Sequence, residues 1–101
     1  MSRVFVAGHK GLVGSAICRR LREEGIEPFV AGRGDLDLTN QAEVEAWFAD
    51  RDIDEVYLAA AKVGGIHAND TYPAEFIRDN LAIQTNVIHA AWKSGVKKLL
   101  F

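Results

Sequence analysis

Cys18 is the only cysteine among the 101 residues, so the chain forms no internal disulfide. It falls in a helical pattern and reads as a small packing residue. The absence of disulfides fits a reducing compartment, and the cytoplasm is the expected setting. No apolar run approaches the ~20 residues of a membrane span. No signal-peptide pattern is expected ahead of the first strand pattern, which starts at Arg3. Neither sign of charge dominates, and a net charge of −2 speaks against general affinity for nucleic acid or anionic membrane. His9, His67 and His89 are not at metal-ligand spacing, and no cysteine or carboxylate set completes a site, so no metal is expected. Repeats, low-complexity tracts and linkers are also missing, which leaves one small domain with one core.

What the chain does contain is an alternation of strand and helix patterns. Arg3–Ala7 reads as a first strand. A helix follows over Leu12–Glu24, with Val13, Ile17 and Leu21 on one face, closed by Gly25 as C-cap with Ile26 as its apolar partner. Pro28–Ala31 reads as a second strand. Asn40 with Glu43 resembles a capping box, opening a helix whose core face is Val44, Trp47 and Phe48. Asp54–Ala60 reads as a third strand. A helix runs from Pro73 to about Ser94 and ends at Gly95, before a fourth strand over Lys97–Phe101. This alternation predicts an α/β fold, a Rossmann-like doubly wound parallel sheet with strand order 3-2-1-4 and helices on both faces. The apolar run Leu99–Leu100–Phe101 is expected to be a strand with both faces buried, so a further strand is expected beside it, as in the amino-terminal part of a longer protein.

Between the first strand and first helix lies Gly8–His9–Lys10–Gly11–Leu12–Val13–Gly14, three glycines at G-x-x-G-x-x-G spacing. In that context the motif predicts a phosphate-binding turn. Gly8 permits the tight turn, Gly11 lets a pyrophosphate approach the backbone, and Gly14 lets helix and strand pack closely. The helix N-terminus supplies unpaired N–H groups and a positive dipole end. The second strand ends without an acid at its tip, and Arg33 stands beside it. A guanidinium suits a 2′-phosphate, and Lys10 adds a second cation, so NADP is expected over NAD. Asp35 argues the other way, because it falls within the range of an acid that contacts the ribose hydroxyl. Asp37 and Leu38 have two readings: they flank an adenine, or they fix a turn and fill the core. Ala59, Ala60 and Ala61 leave room for a dinucleotide at a strand end, and Lys62 stands at the crevice or in solvent. The polar segment from His67 to Tyr72 is a candidate substrate loop.

The glycine motif and Gly95–Val96–Lys97–Lys98–Leu99–Leu100–Phe101 resemble the extended short-chain dehydrogenase/reductases. Ala59–Ala60–Ala61–Lys62–Val63–Gly64–Gly65–Ile66, then Asn69, Thr71–Tyr72–Pro73–Ala74 and Phe76, is more specific and resembles the GDP-L-fucose synthase family. The resemblance covers essentially the whole chain. It implies an NADP-dependent enzyme that epimerises a GDP-4-keto-6-deoxymannose at C3 and C5 and reduces it at C4. It also implies cofactor contacts from Gly8, His9, Lys10, Gly11, Leu12, Val13 and Gly14, from Arg33, Gly34, Asp35, Leu36, Asp37 and Leu38, and from Ala60, Ala61 and Lys62. The family's serine, Tyr-x-x-x-Lys relay and epimerising Cys/His pair have no counterpart here: four residues beyond Tyr57 stands Ala61, and four beyond Tyr72 stands Phe76. No catalytic residue is therefore assigned in this chain, and the 101 residues alone are expected to be inactive. The last long helix carries two apolar stripes. One, Phe76, Ile83 and Val87, faces the sheet. The other, Ile77, Leu81, Ile88 and Trp92, needs another partner: a second copy of the protein, as the resemblance implies, or a part of the protein outside these residues. The alternatives are a non-catalytic NADP-binding module, or another NAD(P)-dependent nucleotide-sugar epimerase or dehydratase.

Overall fold

The computed structural model describes residues 3–32, 34–60 and 73–100. Its elements are β1 (Val4–Ala7), α1 (Leu12–Glu23), α2 (Gln41–Asp50), β2 (Glu55–Leu58), α3 (Pro73–Lys93) and β3 (Lys98–Leu100). All four residues of β1 are buried, because both faces of the sheet are covered. Side chains alternate across a strand, so β1 feeds two cores. Val4 and Val6 pack with Cys18 and Leu21 of α1. Phe5 and Ala7 point the other way, into a larger core with Val44 and Phe48 of α2, Val56 and Leu58 of β2, and Ile83 and Val87 of α3. Phe5 meets Phe48 edge-on at 5.7 Å and Trp47 at 5.4 Å. Among the described residues the Trp47 indole N–H is buried without a hydrogen-bond partner, while the Arg51 guanidinium stacks 3.4 Å from the indole centroid.

The strand order departs from the 3-2-1-4 expectation. The parallel sheet runs β1-β2-β3, with Phe5 level with Val56 and Val56 level with Leu99. The segment expected as a second strand makes a single parallel bridge, Phe29 to Phe5, on the free side of β1. Two bonds hold it: Phe29 N–H donates to Val4 O at 2.8 Å, and Val6 N–H to Phe29 O at 3.0 Å. In the numbering of the sequence reading, the order is therefore 2-1-3-4. The reason is the face on which each helix lies. A right-handed crossover through α1 moves the chain one way along the sheet. Because α2 lies on the opposite face, its crossover moves the chain back past β1, and α3, on the same face as α2, carries it further to β3. The direction reverses at β1, so its carboxyl end is the switch point where open α/β sheets bind ligands.

Most local signals hold. Gly25 takes φ +80°, and Ile26 N–H donates to Leu21 O at 2.8 Å, closing α1 as expected of a glycine C-cap. Val13 does not join the buried face of α1, which is Gly14, Cys18 and Leu21, with Ile17 half-buried. The capping box is only half formed. Asn40 Oδ1 accepts Glu43 N–H at 3.1 Å, but the Glu43 carboxylate accepts from Asp37 N–H instead of from Asn40.

Candidate functional site

The glycine turn sits at the carboxyl end of β1. Gly8 has φ +90°, and a Cβ on it would lie 2.6 Å from Ala60 N and 2.8 Å from Ala59 C. The ends of β1 and β2 thus meet backbone to backbone, and Ala59 N–H donates to Ala7 O at 2.9 Å. Gly11 N–H donates to Gly8 O at 3.2 Å and closes the turn. A Cβ on Gly14 would run into the Gly8 carbonyl oxygen, so the first turn of α1 lies directly against the loop. A methyl group at Gly8 or Gly14 has nowhere to go, as the motif predicts.

Gly11 is the N-cap of α1, in extended conformation with no side-chain cap, and no acid stands in the first turn. Helix geometry leaves the N–H groups of Leu12, Val13 and Gly14 without an intrahelical acceptor. The positive helix end is therefore open to an anion, and the backbone can approach it closely. Leu12 is 88 % exposed and Val13 63 %, two large apolar side chains in water beside that opening. His9 is half-buried in the turn, and Lys10 is exposed.

Of the second expected cluster, Arg33 to Leu38, the described residues 34–38 are held largely by bonds within their own turn. Gly34 is exposed and unobstructed. Asp35 N–H and Leu36 N–H both donate to Gly32 O at 3.0 Å, and the Asp35 carboxylate accepts Gly32 N–H at 3.2 Å. The Leu36 side chain is buried in the larger core, leaving only its backbone to meet a ligand. Asp37 accepts from Thr39 N–H at 3.0 Å and Thr39 Oγ1 at 2.6 Å, and Leu38 packs on the core. Of the two readings of Asp37 and Leu38, turn and core are the roles these contacts fill. Ala60 is half-buried against Gly8. Arg33, Ala61, Lys62 and the loop carrying His67 lie outside the described residues.

Two residues were not singled out from the sequence. Asn86 Nδ2 donates to Leu38 O at 3.0 Å, pinning the 36–38 segment to α3. An amide set between Ile83 and Val87 on a sheet-facing stripe was the available signal. The other is Gly32, where Lys10 Nζ lies 3.8 Å from the position a Cβ would take.

Two open clefts are also present. One of about 690 Å³ borders the 34–38 cluster, lined by Val30, Gly34, Asp35, Leu36, Trp47 and Arg51 among others, and one of about 630 Å³ lies between α2 and α3. Neither gathers unpaired N–H groups as the glycine turn does, and the Lys93 ammonium in the second is taken by Glu45 at 2.7 Å. Among the described residues no group of histidine, cysteine and carboxylate side chains is placed to hold a metal ion, and no helix is long and apolar enough to cross a membrane.

With this geometry in hand, comparison with known proteins is specific. A family model described as "NAD dependent epimerase/dehydratase family" matches residues 4–101. GDP-L-fucose synthase 1 of Arabidopsis thaliana is 61% identical over 101 residues, covering 99% of this chain and 31% of its own length. GDP-L-fucose synthase of Escherichia coli is 55% identical over 98% of this chain and 31% of its own. Among solved structures, the GDP-mannoheptose C4 reductase of Campylobacter jejuni with NADP bound superposes with a TM-score of 0.91 at 39% identity, covering 97% of this chain and 29% of that one. The chain thus spans about a third of the length of the curated relatives it matches.

Proposed function

The chain belongs to the NAD dependent epimerase/dehydratase family, and from that we propose that it is the NADP(H)-binding portion of a nucleotide-sugar epimerase–reductase. The reaction is conversion of GDP-4-keto-6-deoxy-D-mannose to GDP-L-fucose, by epimerisation at C3 and C5 and reduction of the 4-keto group. The observation that carries the reading is the glycine turn at the switch point, where Gly8 abuts Ala60 and the first turn of α1 stands open. The likeness to proteins named GDP-L-fucose synthase, and to a reductase with NADP bound, supports the choice of substrate and cofactor.

The residues fit a dinucleotide in a definite way. Leu12, Val13 and Gly14 present backbone N–H groups to the pyrophosphate, and Gly11 keeps its approach clear. Leu12 and Val13 cover part of the bound cofactor and lose their exposure to water. Lys10 holds the 2′-phosphate together with Arg33, while Gly34 and Asp35 shape the adenosine side. Ala60, Ala61 and Lys62 line the path toward the nicotinamide. When bound, the cofactor supplies the hydride for the keto carbon. The proton for the keto oxygen, and the acid and base for epimerisation, come from residues of the whole protein outside this chain. The second stripe of α3, with Ile77 and Leu81 each 57 % exposed and Trp92 75 %, pairs two copies into a homodimer. The protein works in the cytoplasm on a soluble GDP-sugar, with no nucleic acid or membrane partner.

The test is NADPH oxidation by the protein at its natural length, with GDP-4-keto-6-deoxy-D-mannose as substrate. GDP-L-fucose is the expected product. Tight NADPH binding without turnover of that sugar would favour the non-catalytic reading. Turnover of a different nucleotide sugar would favour a related epimerase.

A further inference from the structure

Between Asp35 and Asn40 the chain leads into α2, and its N–H groups are used locally. Asp35 and Leu36 donate to Gly32 O, Asp37 to the Glu43 carboxylate, Thr39 to Asp37 Oδ1 and Asn40 to Asp37 O. Of this run, only the Leu38 N–H meets no acceptor among the described residues. The carbonyl of the same residue is held from far off. Asn86 of α3, 48 positions along the chain, donates to it at 3.0 Å, well within the range of a good N–H···O bond. The two groups lie on the peptide planes either side of the Leu38 Cα, so a grip on the carbonyl also limits rotation of the N–H. Asn86 is itself steadied by its helix, because Ile83 and Val87 beside it are buried in the larger core. The Leu38 side chain packs on that same core, so its backbone is what it can offer a ligand.

We propose that Asn86 is a positioning residue for the cofactor: through the Leu38 carbonyl it fixes the 36–38 backbone against which the adenosine half is bound. The inference rests on the dinucleotide reading above and adds to it a residue that touches no ligand. Without the amide, the Leu38 carbonyl loses its tie to α3 and residue 38 is free to turn. Binding must then order that backbone, and the cost falls on affinity. Hydride transfer takes place at the other end of the cofactor, so the rate at saturating NADPH is unchanged.

The experiment uses the protein at its natural length and compares wild type with Asn86→Ala, Asn86→Asp and Val87→Ala. It measures kcat and KM for NADPH, dissociation constants for NADPH and for adenosine 2′,5′-bisphosphate, and melting temperature. Aspartate has the shape of asparagine but, when ionised, no donor for the carbonyl. Val87→Ala empties a fully buried site one residue along α3 and leaves the hydrogen bond in place, so it reports destabilisation alone. Both Asn86 variants are expected to weaken NADPH and the bisphosphate alike, by about three- to tenfold, with kcat within about twofold of wild type. Val87→Ala is expected to melt lower yet bind both ligands within about twofold of wild type. The proposal is overturned if the Asn86 variants bind like wild type, weaken NADPH but not the bisphosphate, or lower kcat with KM unchanged. An equal loss of affinity in Val87→Ala also overturns it, because fold stability then accounts for the effect. Should neither Asn86 variant fold, amide NMR of wild type decides. Adding the bisphosphate should shift the Leu38 N–H and the Asn86 side-chain amide together, and silence at both refutes the proposal. If wild type binds neither NADPH nor the bisphosphate, the dinucleotide reading itself fails, which is a different result from any of these.

Discussion

Replacing Gly8 by alanine, with Gly25→Ala as reference, separates two costs that a positive-φ glycine hides. Gly8 has φ +90° and Gly25 φ +80°, so both substitutions pay nearly the same conformational cost, about 1–2 kcal/mol for an L-residue in the left-handed region. Nothing lies within 4 Å of a Cβ at Gly25, so its cost stops there. At Gly8 the Cβ would sit 2.6 Å from Ala60 N, 2.7 Å from Ala60 Cα and 2.8 Å from Ala59 C. These are backbone atoms at the end of a β ladder and cannot swing aside as a side chain would. Relief requires prising β1 from β2, at a further cost of about 1–3 kcal/mol. Urea unfolding of the two variants should therefore differ by about 1–3 kcal/mol, with Gly8→Ala the weaker. Gly8→Ala should also lose NADPH affinity, because the turn that aims the α1 N-terminus has moved, while Gly25→Ala should retain it. Equal destabilisation by the two variants would refute the claim that close approach to Ala60 demands glycine.

Three further outcomes are expected. Burial pushes the Cys18 thiol pKa up, so the neutral thiol stabilises the fold below the unfolded thiol's pKa, and that contribution is lost as pH rises through the folded value. Cys18 should react with a thiol reagent only at the rate of unfolding, and rapid labelling of native protein would contradict its burial. Hydrogen bonds from Lys93 and Gln41 hold the Glu45 carboxyl below its usual range, so its stabilising effect is present above the unfolded carboxyl's pKa and is lost as pH falls through the folded value. Carbon-13 NMR of the Glu45 carboxyl should show a low midpoint that rises in Lys93→Ala, and an unchanged midpoint would mean the bridge is not populated. Leu81→Asp, on the exposed stripe of α3, should convert a dimer to a monomer in sedimentation without lowering NADPH affinity, and an unchanged mass would remove that stripe from the interface.

Local chemistry was readable from the sequence wherever one or two residues decide it. The Gly25 C-cap, the Asn40 N-cap and the glycine turn each follow from a backbone requirement that few residues meet. The alternation across β1 was readable as a strand but not as two cores, since Val-Phe-Val-Ala is apolar throughout. The order of the strands was not readable, because it depends on which face each helix covers. The apolar pattern of α2, Val44 and Phe48 with Trp47 beside them, is the same whichever side of the sheet it meets. Val13 was misplaced for a related reason. Spacing put it in line with Ile17 and Leu21, but Gly14 presses the first turn of α1 against the loop and turns Val13 outward. At the site, Asp35 could be placed by spacing but not oriented, since only the fold shows its carboxylate folded back on Gly32.

The most direct test of the dinucleotide site is amide NMR of the isotopically labelled protein at its natural length, titrated with NADP. The largest shifts are predicted at Leu12, Val13 and Gly14, where the N–H groups at the start of α1 meet the pyrophosphate, and along 32–36. The cleft between α2 and α3 should be undisturbed. Shifts concentrated in that cleft, with the start of α1 silent, would contradict the placement of the cofactor.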